Sequence, residues 1–145
     1  MVGVRLVFFL LLSASSLLVG ASSPTCGTDT EPCIRPLRLP RLKSITVERT
    51  GTREPQAGDL EVGCRSFALT PTRVRNYLQL AGRITANDRH YLLPNSPCSA
   101  QGNLKTIDGR SATWKIGILG EGELHWRDGK SIDLYCNACS TPFVK

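Results

Sequence analysis

Histidine, methionine and aromatic side chains are scarce in this chain of 145 residues, which holds two His, one Met and 6% Phe, Trp and Tyr. Any Ser/His/acid or Cys/His set would therefore have to use His90 or His125. No Walker, HExxH or GxSxG pattern occurs, so the phosphate-loop, zinc-protease and serine-hydrolase mechanisms those patterns carry have no anchor here. Heptads and collagen-type repeats are missing too, which excludes fibrous architectures. Beyond residue 21 no apolar run reaches the ~20 residues a spanning helix needs. Acidic side chains are the minority charge, 12 against 18 Lys and Arg, for a formal net +6. The length allows one domain, since a second would be too small to bury its own core.

What is present begins with an export pattern. Residues 1–21 join a positive start at Arg5, an apolar run from Leu6 to Leu12, a second apolar patch at 17–19 and Val19-Gly20-Ala21. That is the layout of a secretory signal peptide cleaved after Ala21. A membrane anchor is the rival, but Ser13 to Ser16 interrupts the run; lipid attachment at Cys26 is a third option, poorly served by the preceding Ser23-Pro24-Thr25. Removing 21 residues from 145 leaves 124.

The remainder divides by composition. Residues 22–57 carry Pro24, Pro32, Pro36, Pro40 and Pro55, and the stretch 35–53 sets Arg35, Arg38, Arg41, Lys43, Arg49 and Arg53 against Glu48 alone. Proline at this spacing forbids a helix, so an extended arm is expected, with one short strand at 45–49. The six cations are candidate anion-binding residues, attracting phosphate, anionic lipid or acidic glycan in a salt-dependent way, or else a solvated linker.

From residue 58 onward the sequence patterns as a folded α+β domain, 58–145. Residues 60–69 alternate as a half-buried strand with a slip. Thr70-Pro71 is an N-cap followed by a first-turn proline, and Val74, Tyr77, Leu78, Ala81 and Ile84 form one apolar stripe, so the spacing predicts a helix over 71–84. Asn87-Asp88 and the prolines at 94 and 97 are expected to end helical structure. Segments 98–107, 111–119, 123–127 and 130–136 alternate as strands, separated by Asp108-Gly109, Gly120-Glu121-Gly122 and Asp128-Gly129. The two Asp-Gly pairs suggest type I′ hairpin turns. The expected fold is one amphipathic helix packed on a four-stranded antiparallel β-meander, stapled by disulfides. Its core would be Leu104, Trp114, Ile116, Ile118, Leu124, Trp126, Ile132 and Leu134 against Val74, Tyr77, Leu78 and Ala81.

Six cysteines, Cys26, Cys33, Cys64, Cys98, Cys136 and Cys139, in an exported chain read first as three disulfides, and their 15 possible connectivities stay open. Cys26 and Cys33 suit a local loop; Cys98 suits Cys136 or Cys139. Cys136-x-x-Cys139 has a redox alternative, but such sites place the first Cys at a helix N-terminus and this pair follows a strand. Zinc held by Cys26, Cys33, Cys136 and Cys139 is a further alternative, for which the gap between the first two is too wide.

The histidines offer little. His90 sits in a polar loop sequence and His125 alternates with Leu124 and Trp126 on the outer side of a strand. Asp108 and Asp128 are turn formers, and Asp133 has no evident acid/base partner. No catalytic, cofactor-binding or metal-binding residue is assigned.

Phe67, Leu69-Thr70, Val74, Tyr77, Ala81, Ser96-Pro97-Cys98, Gly102, Asp108-Gly109-Arg110, Trp114, Ile116, Asp128-Gly129 and Leu134-Tyr135-Cys136 with Cys139 appear in an order that resembles a group of small uncharacterised exported bacterial proteins. The resemblance spans Cys64 to Cys139; it implies export and a small stapled fold and brings no activity. Together these readings point to an exported, non-enzymatic binding protein, inhibitor- or immunity-like, with an envelope protein as its partner and without cofactor or nucleic acid. The alternatives are a thiol-disulfide protein using Cys136 and Cys139, and an envelope polyanion binder acting through the basic arm.

Overall fold

A computed structural model describes residue 26 and residues 29–57 and 63–139. The signal-peptide segment 1–21 lies outside the described residues. The chain forms β1 (Arg35–Pro36), β2 (Leu42–Arg53), α1 (Pro71–Leu80), β3 (Gly82–Ile84), α2 (Ala86–Leu92), β4 (Cys98–Thr106), β5 (Ser111–Gly117), β6 (Glu121–Trp126) and β7 (Ser131–Tyr135). All strands pair antiparallel in one sheet of order β1-β3-β7-β6-β5-β4-β2.

The expected four-stranded meander with one helix is thereby corrected to a seven-stranded sheet with two short helices. β4 to β7 supply the meander, and β2 extends it on one side while β3 and β1 extend it on the other. The basic stretch is not an arm: Leu42–Arg53 pairs along β4 through three register shifts. Prolines 36 and 40 precede β2 and Pro55 follows it, so no missing N–H interrupts its ladder. Residues 64–69 do not form the expected strand. Cys64–Ser66 is a 3₁₀ turn, and Thr50 of β2 donates its hydroxyl to the Phe67 carbonyl at 2.8 Å while accepting from the Leu69 N–H at 2.9 Å.

Local chemistry explains the helices. The Thr70 hydroxyl accepts from the Arg73 N–H at 3.3 Å and Pro71 opens α1, as an N-cap and first-turn proline should. The helix stops at Leu80, not at 84, because Gly82–Ile84 leaves to pair with β7 and β1. Asn87-Asp88 begins a second helix instead of ending helical structure: Thr85 is its N-cap, accepting from the Asp88 N–H at 3.0 Å.

The three hairpin turns share one design. Gly109, Gly120 and Gly129 have φ of 87°, 92° and 87°, and among the described residues none other than glycine has positive φ. Each glycine N–H donates to the carbonyl three residues back, on Thr106, Gly117 and Trp126. These are three-residue loops with the glycine alone in the left-handed position, not type I′ turns, which would demand positive φ from the aspartates as well.

One face of the sheet is apolar. Leu104, Trp114, Ile116, Leu124, Trp126 and Leu134 are buried there with Val74, Tyr77, Leu78, Ala81, Phe67 and Leu69, while Ile118 and Ile132 pack at its margin. Trp114 stands opposite Gly102 in the β4–β5 register, and a Cβ on Gly102 would meet the Trp114 ring at 2.8 Å and the Thr46 carbonyl. The sheet must also curl. Laid flat, its six inter-strand gaps would separate β1 from β2 by about 29 Å, yet Pro36 to Leu42 spans at most about 20 Å of extended chain. The edges therefore approach each other, with Leu37, Leu39 and Leu42 packed against the core.

The cysteines pair as Cys26–Cys33, Cys64–Cys98 and Cys136–Cys139. Cys98 takes Cys64, not Cys136 or Cys139; β6 and β5 stand between β7, which Cys136 follows, and β4, which Cys98 begins. Three disulfides fit an oxidising, exported environment. No helix among the described residues is long and apolar enough to cross a membrane.

Removing Cys64–Cys98, whose partners are 34 residues apart, is expected to lower unfolding free energy by about 2–4 kcal/mol, more than removing either local bridge, read by urea titration of Ser variants. Gly102→Ala should cost about 2 kcal/mol or more through overpacking against Trp114, whereas Gly109→Ala, in open space, should cost only about 1 kcal/mol from its positive φ. Equal losses at the two sites would contradict this packing.

Candidate functional site

The six predicted cations are all exposed, but they do not converge. Arg35 lies on β1 at one edge of the sheet, Lys43, Arg49 and Arg53 on β2 at the other, and Arg38 and Arg41 on the segment that joins them. Lys43 and Arg53 alone are about 33 Å apart along an extended strand. A single anion site built from all six is therefore excluded by topology. Arg41 instead lines a groove of about 400 Å³ between the joining segment and α1, with Leu37, Leu39 and Leu42 on one side, Arg75, Leu78 and Gln79 on the other, and Ile107 at the β4–β5 turn.

On the face opposite the core, a smaller polar cavity of about 130 Å³ gathers residues with chemical potential that no sequence spacing indicated. Ser99, Lys115, Glu121 and Glu123 alternate with core residues Cys98, Trp114, Gly122 and Leu124 and so point away from α1. Glu121, read from sequence as part of a turn, is the first residue of β6 and only 4% exposed. Its carboxylate accepts from the Ser96 N–H at 3.1 Å and from the Ser96 hydroxyl at 2.6 Å, and Arg89 of α2 approaches to 4.0 Å. The Ser96 hydroxyl in turn accepts from the Leu119 N–H at 2.9 Å. Glu54, just beyond β2, accepts from Ser99 and from the Lys115 ammonium, the latter at 2.9 Å.

The two carboxyl groups titrate in opposite directions. Burial pushes Glu121 above the ordinary glutamate range, and the Ser96 bonds and Arg89 offset this only in part. Burial acts on Glu54 in the same sense, but its bonds to Ser99 and Lys115 and the nearby positive charge outweigh it and hold the carboxyl below that range. Such divergence is how paired carboxylates divide acid and base roles. Here, however, all four carboxylate oxygens already have protein partners, in contacts linking residues 25, 45 and 61 positions apart. The pairs fasten α2, the 93–97 segment and the end of β2 onto the sheet. Tyr77, raised above its usual range by burial first, stays a phenol and donates to the Gly120 carbonyl at 3.0 Å.

His125 Nδ1 meets the Ser131 hydroxyl at 2.7 Å, and its Nε2 lies 3.3 Å from Glu123. Ser131 is its directly opposed residue on β7 and Glu123 is two positions away on β6, so both contacts are those of neighbours on a strand surface. His90 is not in a loop: it lies on α2, edge-on to Tyr91. Asp108 and Asp128 brace their turns through Arg110 and Lys130. Cys136 and Cys139 are 2% and 1% exposed as well as bonded to each other, leaving no accessible thiolate.

Comparison with family models, with curated proteins and with solved structures finds no match to this chain.

A raised Glu121 pKa means the folded state holds its proton more tightly than the unfolded chain, so the carboxyl favours folding below about 4.5 and loses that contribution as pH rises. Relative to Glu121→Gln, the wild type should therefore lose stability as pH rises above about 4.5. Urea titration of both proteins across that rise checks this, and a constant difference would contradict the assignment.

Proposed function

We propose that this chain is an exported, non-enzymatic binding protein, periplasmic or secreted, which acts in the manner of an inhibitor or immunity protein on a protein of the envelope. One contrast carries the reading. The carboxylates suited to acid/base work, Glu54 and Glu121, are engaged with protein partners, whereas the two cations that line the groove, Arg41 and Arg75, have no ion-pair partner among the described residues. Charges left unpaired around a concave apolar surface steer and orient a partner more readily than they stabilise a fold.

The export pattern at 1–21, the three disulfides and the resemblance over Cys64 to Cys139 support the compartment. The redox alternative has less support, since catalytic dithiols sit partly exposed in electropositive surroundings and Cys136 and Cys139 are buried. A polyanion binder would use the cations but leaves the leucine floor of the groove without a role.

Crosslinking in the exporting cell should give one discrete adduct with another envelope protein, reproduced at 1:1 with purified components. The purified chain should not accelerate insulin reduction. A chain that stays monomeric without adduct, or one that reduces insulin catalytically, would contradict the proposal.

A further inference from the structure

We propose that the groove between residues 37–42 and α1 receives an extended acidic segment of the partner protein, its aliphatic side chains resting on Leu37, Leu39, Leu42 and Leu78 and its carboxylates meeting Arg41 and Arg75. The assignment rests on the binding reading and names the surface and the chemistry of what it binds.

Three observations carry it. The lining contains two arginines and no acidic residue. The nearest carboxylate in sequence, Asp108 beside Ile107, is held by Arg110 at 3.3 Å and by Thr106, so it does not neutralise the groove from within. Neither Arg41 nor Arg75 has an ion-pair partner among the described residues. The floor, finally, is aliphatic, and Ile107 at its mouth is 60% exposed, apolar surface that water meets unless a partner covers it.

The geometry favours a protein segment over other anions. About 400 Å³ lies in the range of sites that enclose a small ligand or a few side chains. An acidic glycan has no aliphatic groups for the leucines, and a bilayer surface offers no narrow ridge to enter a groove. The joining segment is also fixed, since the Ile107 N–H donates to the Arg41 carbonyl at 2.8 Å and leaves the groove wall preformed.

Fluorescence anisotropy with the full-length mature chain tests this, using labelled peptides of alternating Glu and Leu, alternating Lys and Leu, and Glu alone. The Glu-Leu peptide should bind saturably at 1:1, and the other two should bind at least about tenfold more weakly. Arg41→Glu with Arg75→Glu should weaken Glu-Leu binding by about tenfold or more, as should raising salt from about 50 mM to about 500 mM. Gln79→Glu, on the exposed side of α1, tests the same groove should the double variant fail to fold. Arg65→Glu removes an exposed cation beside Gly51, near the end of β2 away from the groove, and should leave binding unchanged. Binding of poly-Glu or of phosphatidylglycerol vesicles as tight as that of the Glu-Leu peptide, or equal loss in Arg65→Glu, or no peptide binding, would overturn the proposal. If an envelope partner crosslinks but binds the groove variants undiminished, the groove assignment falls and the binding reading stands; without any partner, the reading itself falls.

Discussion

Trp114 and Tyr77 fit into hollows that glycine leaves open, and the closure of the molecule depends on that fit. Gly102 makes room for the indole between β2 and β5, and a Cβ on Gly122 would come within 2.6 Å of the Tyr77 hydroxyl oxygen. With those two rings sunk into the sheet, the ten residues of α1 approach closely enough for Val74, Tyr77 and Leu78 to be covered. Fully burying side chains of this size contributes about 1.5–3 kcal/mol each, so the seating of a few rings outweighs any single surface contact in the protein.

The rest of the fold follows from bringing the sheet's ends around that helix. Cys64–Cys98 ties the 3₁₀ turn that precedes α1 onto β4, and the Glu54 N–H donates to the Pro97 carbonyl at 2.9 Å close by. Glu121 with Ser96, and Glu54 with Ser99 and Lys115, fasten the opposite face. The polar cavity is thus a clasp in which the carboxylates of Glu54 and Glu121 are hydrogen-bonded within the protein, while the buried Arg89 Nη1 meets Glu121 only as an ion pair at 4.0 Å. Across the sheet, the segment from β1 to β2 bridges the two edges, and the groove lies between that bridge and α1.

The legible parts of the sequence were those where one local rule acted alone. Alternation around glycine-bearing turns marked β4 to β7, and Thr70-Pro71 marked the start of α1. Of β2 the sequence marks only 45–49, because prolines and arginines dominate its surroundings, although the β-branched Thr50 and Thr52 also favour a strand. Ile84 matched the helical stripe by position and was claimed by sheet pairing instead, a tertiary demand that periodicity does not encode. α2 buries no side chain completely and so has no stripe to read, and its cap Thr85 falls just after the stretch 71–84 that the apolar stripe assigns to one helix. Glu121 was read as a turn residue because glycines flank it, and its partners lie too far away in sequence for any motif to join them. The same holds for the groove, where Arg41 was visible as a cation while Arg75, Leu78 and Ile107 joined it only through the fold.

The polar clasp, where Glu54 and Glu121 are held by protein donors, is distinct from the open basic groove, and the proposed partner recognition belongs to the groove. Backbone amide chemical shifts of the isotope-labelled protein, followed during addition of an acidic leucine-bearing peptide, test that separation most directly. The predicted result is that amides of Leu39, Arg41, Leu42, Arg75, Gln79 and Ile107 move together with one saturation curve while those of Ser96, Lys115 and Glu121 stay in place. Shifts centred on the clasp, or shifts spread along every exposed arginine, would contradict it.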